Sequence, residues 1–285
     1  MLLFHMEPPL EPWDPPANLY LWWGGSSNKR LGHSGDNLRH LVKLGRLEGG
    51  EYRDPHFLFN FESSEFRDLS ESCCSTLLMG PMKNSMPVYN THSGVAQRIR
   101  NYVANGNHMI FTGGSLISLD FMNRYFFYSI EPLTSTVMGA KANGYGNYSP
   151  GPWRKLRGRN LPKIYRRAPD VLMQDYTDVT ALSLKGLPSG TRILYMDPES
   201  TPVFQATFCQ RLSASPGEPP IKTLPRECAE HAKLGFQCSC GTITYIGYDW
   251  HYDQDAAAWD EVMLAAVEYQ ADPDTSATHS PNCPV

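Results

Sequence analysis

A chain of 285 residues, 41% hydrophobic and 19% charged, can bury a sizeable core and does not have the composition of a disordered protein. Its formal charge of −4 at pH 7 provides no global attraction to nucleic acid or anionic membranes. No apolar run approaches the roughly 20 residues that span a bilayer, and the start, Met1-Leu-Leu-Phe-His-Met-Glu-Pro-Pro, has neither the basic leader nor the apolar length of a signal peptide.

In chain order, residues 1–16 are proline-rich and are expected to form an extended arm. Asn18-Leu-Tyr-Leu-Trp-Trp-Gly-Gly25 reads as a first core strand ending on glycine. Residues 35–47 then carry apolar side chains at helical spacing, with Asp36 as the expected N-cap. His56-Phe-Leu-Phe-Asn-Phe61 is the next strand candidate, and either 75–80 or 86–89 supplies another. Residues 93–103 form an amphipathic helix closed by Asn105-Gly106, which feeds directly into the apolar run His108-Met-Ile-Phe-Thr112. A further helix is expected from Leu116 to Phe126.

Residues 141–167 break this pattern and read as a basic insertion, with Arg154, Lys155, Arg157, Arg159, Lys163, Arg166 and Arg167 among glycines and prolines. Residues 192–196 and 203–208 alternate as half-exposed strands of a hairpin, and residues 213–226 read as a proline-rich loop. Thr242 to Tyr248 is the last strand and residues 253–267 the last helix, followed by a polar tail, 271–285, of disordered composition. Short apolar runs that end on glycine or polar residues and lead into helices suit a mostly parallel sheet whose carboxyl ends carry a site. The expected architecture is therefore a single α/β domain over residues 17–270, a flavodoxin-like three-layer sandwich with loop insertions.

Two blocks carry a resemblance. Arg98-Ile-Arg-Asn-Tyr-Val-Ala-Asn-Gly-Asn-His-Met-Ile-Phe-Thr-Gly-Gly with Phe121-Met-Asn-Arg-Tyr-Phe, and Thr244-Tyr-Ile-Gly-Tyr-Asp-Trp-His with the helix around Trp259, resemble the class I glutamine amidotransferase-like superfamily. The resemblance covers about half of the chain. It implies an elbow after the strand ending at Thr112, a histidine after the last strand and a nearby carboxylate. The elbow here is Thr112-Gly113-Gly114-Ser115 and lacks the cysteine that catalytic members use, which speaks against glutamine hydrolysis.

The implied catalytic set is Ser115, His251 and Asp249, with Gly113, Gly114, Trp250 and Asp253 as ligand-binding candidates. Serine needs a well-placed base at neutral pH. The alternative for Gly113-Gly114 is a tight turn with Ser115 as N-cap, or backbone N–H groups that hold a small anion. The favoured alternative for His251 is a satisfied core histidine among aromatic neighbours, and for Asp253 or Asp255 a helix cap.

Three functional readings follow. The first is a divergent, non-catalytic amidotransferase-like domain that binds a small anionic ligand or a protein partner at the carboxyl edge of the sheet. The second is a hydrolase or amide-group transferase using Ser115 and His251 with a carboxylate. The third is nucleic-acid binding by residues 141–167, whose Tyr145, Tyr148, Trp153 and Tyr165 interleave with the cations, a reading the acidic balance disfavours.

No cofactor is implied, and no metal is expected. The alternation Asp249, His251, Asp253, Asp255 matches no known loop, and Cys228, His231, Cys238 and Cys240 have an unusual spacing for a zinc knuckle. With seven cysteines the balance leans to a reducing compartment, and any bridges from Cys73-Cys74 or Cys238-Ser-Cys240 would run to distant partners.

Overall fold

The computed structural model describes residues 19–23, 32–44, 55–82, 94–113, 116–133, 151–157, 161–173, 179–211, 220–235, 238–250 and 257–269. The arm at 1–16, the tail at 271–285 and all of 134–150 lie outside them, as does the strand alternative at 86–89.

Five short strands form a parallel half-sheet: β1 (Leu19–Trp22), β2 (His56–Leu58), β3 (Thr76–Met79), β4 (His108–Thr112) and β12 (Cys238–Ile246). Their spatial order, β2-β1-β3-β4-β12, is the 2-1-3-4-5 winding of a flavodoxin-like sheet, with its switch point between β1 and β3. Every strand but β2 is covered on both faces, which explains the continuous apolar runs. Side chains alternate accordingly. Leu77, Met79, Met109, Phe111, Ile243 and Tyr245 enter one core, and Leu19, Leu21, Leu78, Ile110 and Ile246 enter the other.

The first core is closed by α2 (Ser64–Glu71), α3 (Gly94–Ala104) and α4 (Leu116–Phe126), and the second by α1 (Gly32–Leu44) and α6 (Ala257–Glu268). Phe66 and Leu69 of α2, Ile99 and Tyr102 of α3, and Phe121, Met122 and Tyr125 of α4 are all buried. On the opposite face Leu38, Leu41 and Val42 of α1 meet Trp259, Val262, Met263 and Ala266 of α6. The helix α1 begins at Gly32, so Asp36 lies inside it and is not the N-cap expected from the sequence.

Beyond β12 the sheet continues antiparallel. Strand β10 (Val203–Arg211) pairs with β12 over its whole length, and then come β8 (Arg192–Met196), β5 (Trp153–Lys155) and β6 (Val171–Leu172). Strand β11 (Ile221–Thr223) shares the outer edge of β10 with β8, and β7 (Leu182–Ser183) with β9 (Ser200–Thr201) makes a separate small sheet. The hairpin expected from 192–208 is present as β8 and β10. Part of the basic insertion is sheet: Trp153 of β5 and Tyr165 of the 3-10 turn Lys163–Arg166 are buried in the second core. The helix α5 (Pro225–Lys233) follows β11 and packs on β10 and β12.

Candidate functional site

The carboxyl ends of β4 and β12 lie side by side, because Thr112 is in register with Ile246. Their exits are locked by main-chain contacts. The Gly113 N–H donates to the carbonyls of Ile246 at 2.7 Å and Tyr248 at 3.0 Å. A Cβ on Gly113 would stand 1.7 Å from the Gly247 carbonyl oxygen, so only glycine permits this approach. Gly247 is held in turn: its N–H donates to Pro202 O at 2.7 Å, and its carbonyl accepts from the Thr180 N–H at 2.8 Å. The Thr112 hydroxyl donates to Met79 O at 3.1 Å, and the Ser118 hydroxyl donates back to Thr112 O at 3.0 Å, tying the start of α4 to the strand end.

After Gly247 the chain turns into an aromatic cluster. Tyr248 stacks on Trp259 at 5.1 Å between centroids and meets Trp250 edge-on at 5.0 Å. Trp250 takes a left-handed backbone conformation, with φ of 52°. Two elements on the second face hold it: the Asn37 side-chain amide of α1 donates to its carbonyl at 2.9 Å, and its indole Nε1 donates to Asp260 Oδ1 of α6 at 2.9 Å. Asp260 lies in the first turn of α6, where the helix dipole also favours a carboxylate. Asp249, between these aromatics, is buried.

Of the residues singled out from the sequence, Gly113, Asp249 and Trp250 therefore converge at one end of the sheet. Gly114, Ser115, His251 and Asp253 lie outside the described residues, and so does the contact between the Ser115 hydroxyl and the His251 ring. Asn37, Asp260 and Thr180 were not singled out. Their signal is purely tertiary, because each contributes by bonding to the chain after β12.

The basic insertion gives a different result from its sequence. Trp153 and Tyr165 are fully buried, so two of the four rings needed to stack on bases face the core, while Tyr145 and Tyr148 lie outside the described residues. Lys155 pairs with Asp170 at 3.1 Å and also donates to the carbonyls of Ala168 and Arg166. Arg157 closes on the same carboxylate. Hydrogen bonds from Lys155 and then Arg157 hold the Asp170 carboxyl below the usual aspartate range. These cations are thus partly spent within the fold.

The cysteines also depart from expectation. Disulfides join Cys209 to Cys240 and Cys228 to Cys238, with Cα–Cα distances of 4.1 and 5.5 Å. Bonds of this kind persist under oxidising conditions. They also take up the three thiols of the knuckle considered from sequence.

No family model and no curated protein sequence matches the chain. Among solved structures, a ThuA-like protein from Bacteroides uniformis is similar over 95% of this chain and 98% of its own, with a TM-score of 0.51 and 10% sequence identity. At that identity the likeness shows the fold, a large α/β sheet with a parallel half, flanked by helices. Among the described residues no helix is long and apolar enough to cross a membrane.

Proposed function

We propose that this chain is a divergent amidotransferase-like domain that binds a small anionic ligand or a protein partner at the carboxyl edge of its sheet and does not hydrolyse glutamine. The observation that carries this reading is the filling of the β12 exit: Tyr248 is packed against both Trp259 and Trp250, and the Gly113 N–H is already bonded to the neighbouring strand. The cysteine-free elbow supports it from the sequence side. Backbone N–H groups at the start of α4 are the elements that would receive an anion.

The runner-up is a hydrolase or amide-group transferase using Ser115 and His251. The burial of Asp249, two residues before His251, favours it, because a buried carboxylate is suited to orient an imidazole.

Turnover of glutamine and of simple amide and ester substrates separates the two readings. The binding reading expects the same background rate for the native protein and for Ser115→Ala and His251→Ala. A native rate about 100-fold or more above both variants, the usual contribution of a general base, would establish the enzyme instead. A thermal-shift panel of small carboxylates and phosphates then tests the ligand. Stabilisation that saturates with one of them is expected, and a flat response across the panel turns the proposal to a protein partner.

A further inference from the structure

At the opposite end of the sheet, four of the seven cysteines meet, brought by three elements. Cys209 of β10 and Cys240 of β12 are direct cross-strand partners, and Cys238 lies two residues earlier on the same face of β12. Cys228 comes down from α5. The two disulfides are in contact, with the Cys228 and Cys240 sulfurs 3.5 Å apart although they belong to different bonds. The sulfurs of Cys209, Cys228 and Cys240 all lie within 4.8 Å of one another.

Access is graded across the cluster. Cys238 and Cys240 are half-buried, whereas Cys228 is 4% and Cys209 0% exposed. Cys209 also borders a cavity of about 270 Å³ whose other walls include Phe127, Tyr128, Leu187, Phe208 and Lys222. The Lys222 ammonium is fixed there, donating to Phe127 O at 2.9 Å and lying 4.8 Å from the centre of the Tyr128 ring.

We propose that this cluster is a thiol–disulfide exchange site, which takes two electrons from an external dithiol at Cys238 and passes the opened thiol inward to Cys209. One thiolate of the dithiol attacks the accessible Cys238 sulfur. A mixed disulfide forms, the Cys228–Cys238 bond breaks, and its electron pair leaves on Cys228. The Cys228 thiolate attacks Cys240, already in contact, so that a Cys228–Cys240 bond forms and Cys209 leaves as the thiolate. The second thiol of the dithiol attacks its own sulfur in the mixed disulfide and releases Cys238. The two protons of the dithiol end on Cys209 and Cys238. In the balance, one external dithiol becomes a disulfide and the protein keeps one of its two, now in a different pairing.

The test is a disulfide map of the full chain. One equivalent of dithiothreitol is added under native conditions, the mixture is acid-quenched, and free thiols are alkylated with N-ethylmaleimide before digestion. The expected products are a peptide pair joined through Cys228 and Cys240, loss of the Cys209–Cys240 pair, and maleimide on Cys209 and Cys238. Maleimide on Cys228 and Cys238 with Cys209–Cys240 intact overturns the proposal, as does a protein in which neither bond opens. Purified protein that carries zinc and four alkylatable cysteines overturns it in favour of a metal site. Cys238→Ser supplies an independent reading, because it frees Cys228 without any reductant: alkylation at Cys209 is expected, and alkylation confined to Cys228 sinks the relay.

Discussion

At the scale of single residues, two positions carry unusual constraint. Gly113 is required by the approach of Gly247, and Gly113→Ala forces a backbone shift where β4 and β12 leave the sheet. A loss of about 2 kcal/mol or more in urea unfolding is expected, and a neutral substitution would show that the strand exits are not locked together. Asn107 is the second. Its fully buried side chain accepts from the Ser75 N–H and hydroxyl, each at 2.9 Å, and donates to Tyr102 O at 2.7 Å and, towards the surface, to Ser72 O at 2.8 Å. Asn107→Ala leaves several buried groups unpaired and should cost about 3 kcal/mol by the same assay. Asn107 stands just after a helix-closing glycine in the sequence, where a polar residue passes for ordinary loop chemistry. Its four bonds run to neighbours up to 35 residues away, which no local pattern reveals.

At the scale of elements, α5 shows how a short helix is set by its first turn. The Glu227 carboxylate accepts from the Leu224 N–H and the Thr223 hydroxyl, both at 3.1 Å. These bonds, the backbone one foremost, hold its carboxyl below the usual glutamate range. A depressed carboxyl stabilises the fold above its unfolded-state pKa, and that contribution disappears as pH falls through the folded value. Glu227→Gln should therefore melt below the native protein at neutral pH, and the gap should close as the pH drops beneath the ordinary glutamate range. A gap that persists in acid would assign the effect to shape rather than charge. Strands β1 to β4 and β12, with α1, α3, α4 and α6, were legible because continuous apolar runs alternate with helical stripes. The helices α2 and α5 were not: α2 offers only Phe66 and Leu69 as a stripe, and Pro225 at the start of α5 read as the end of a loop although proline suits a first helical turn. Strands β5 and β6 were hidden by the cations around them, since a three-residue strand with a single core tryptophan has no period to detect. At the candidate site, Gly113, Asp249 and Trp250 were pointed to by the resemblance to the amidotransferase-like superfamily. It could not show that aromatic packing would fill the β12 exit, because that depends on α1 and α6 folding over it.

At the scale of the whole molecule, the parallel and antiparallel halves share β10 and β12, paired over nine residues from Val203↔Ile246 to Arg211↔Cys238. This seam, together with Ile246, Tyr248 and Trp259 in one core with Leu194, Tyr195 and Trp153, predicts that the sheet unfolds as a single cooperative unit. Urea unfolding followed by far-ultraviolet circular dichroism and by tryptophan fluorescence should give coincident midpoints, whereas separated transitions would mean that the halves melt independently. The terminal strands of the large sheet have a further consequence. Among the described residues β2 has three residues and β6 two, so neither border presents a long row of unpaired peptide groups to another chain. Such borders are poor templates for fibril growth or domain exchange, and they deny a peptide the ladder it would need to extend the sheet. Among the described residues, these two borders leave recognition of a macromolecule to side chains and loop ends, not to main-chain strand addition.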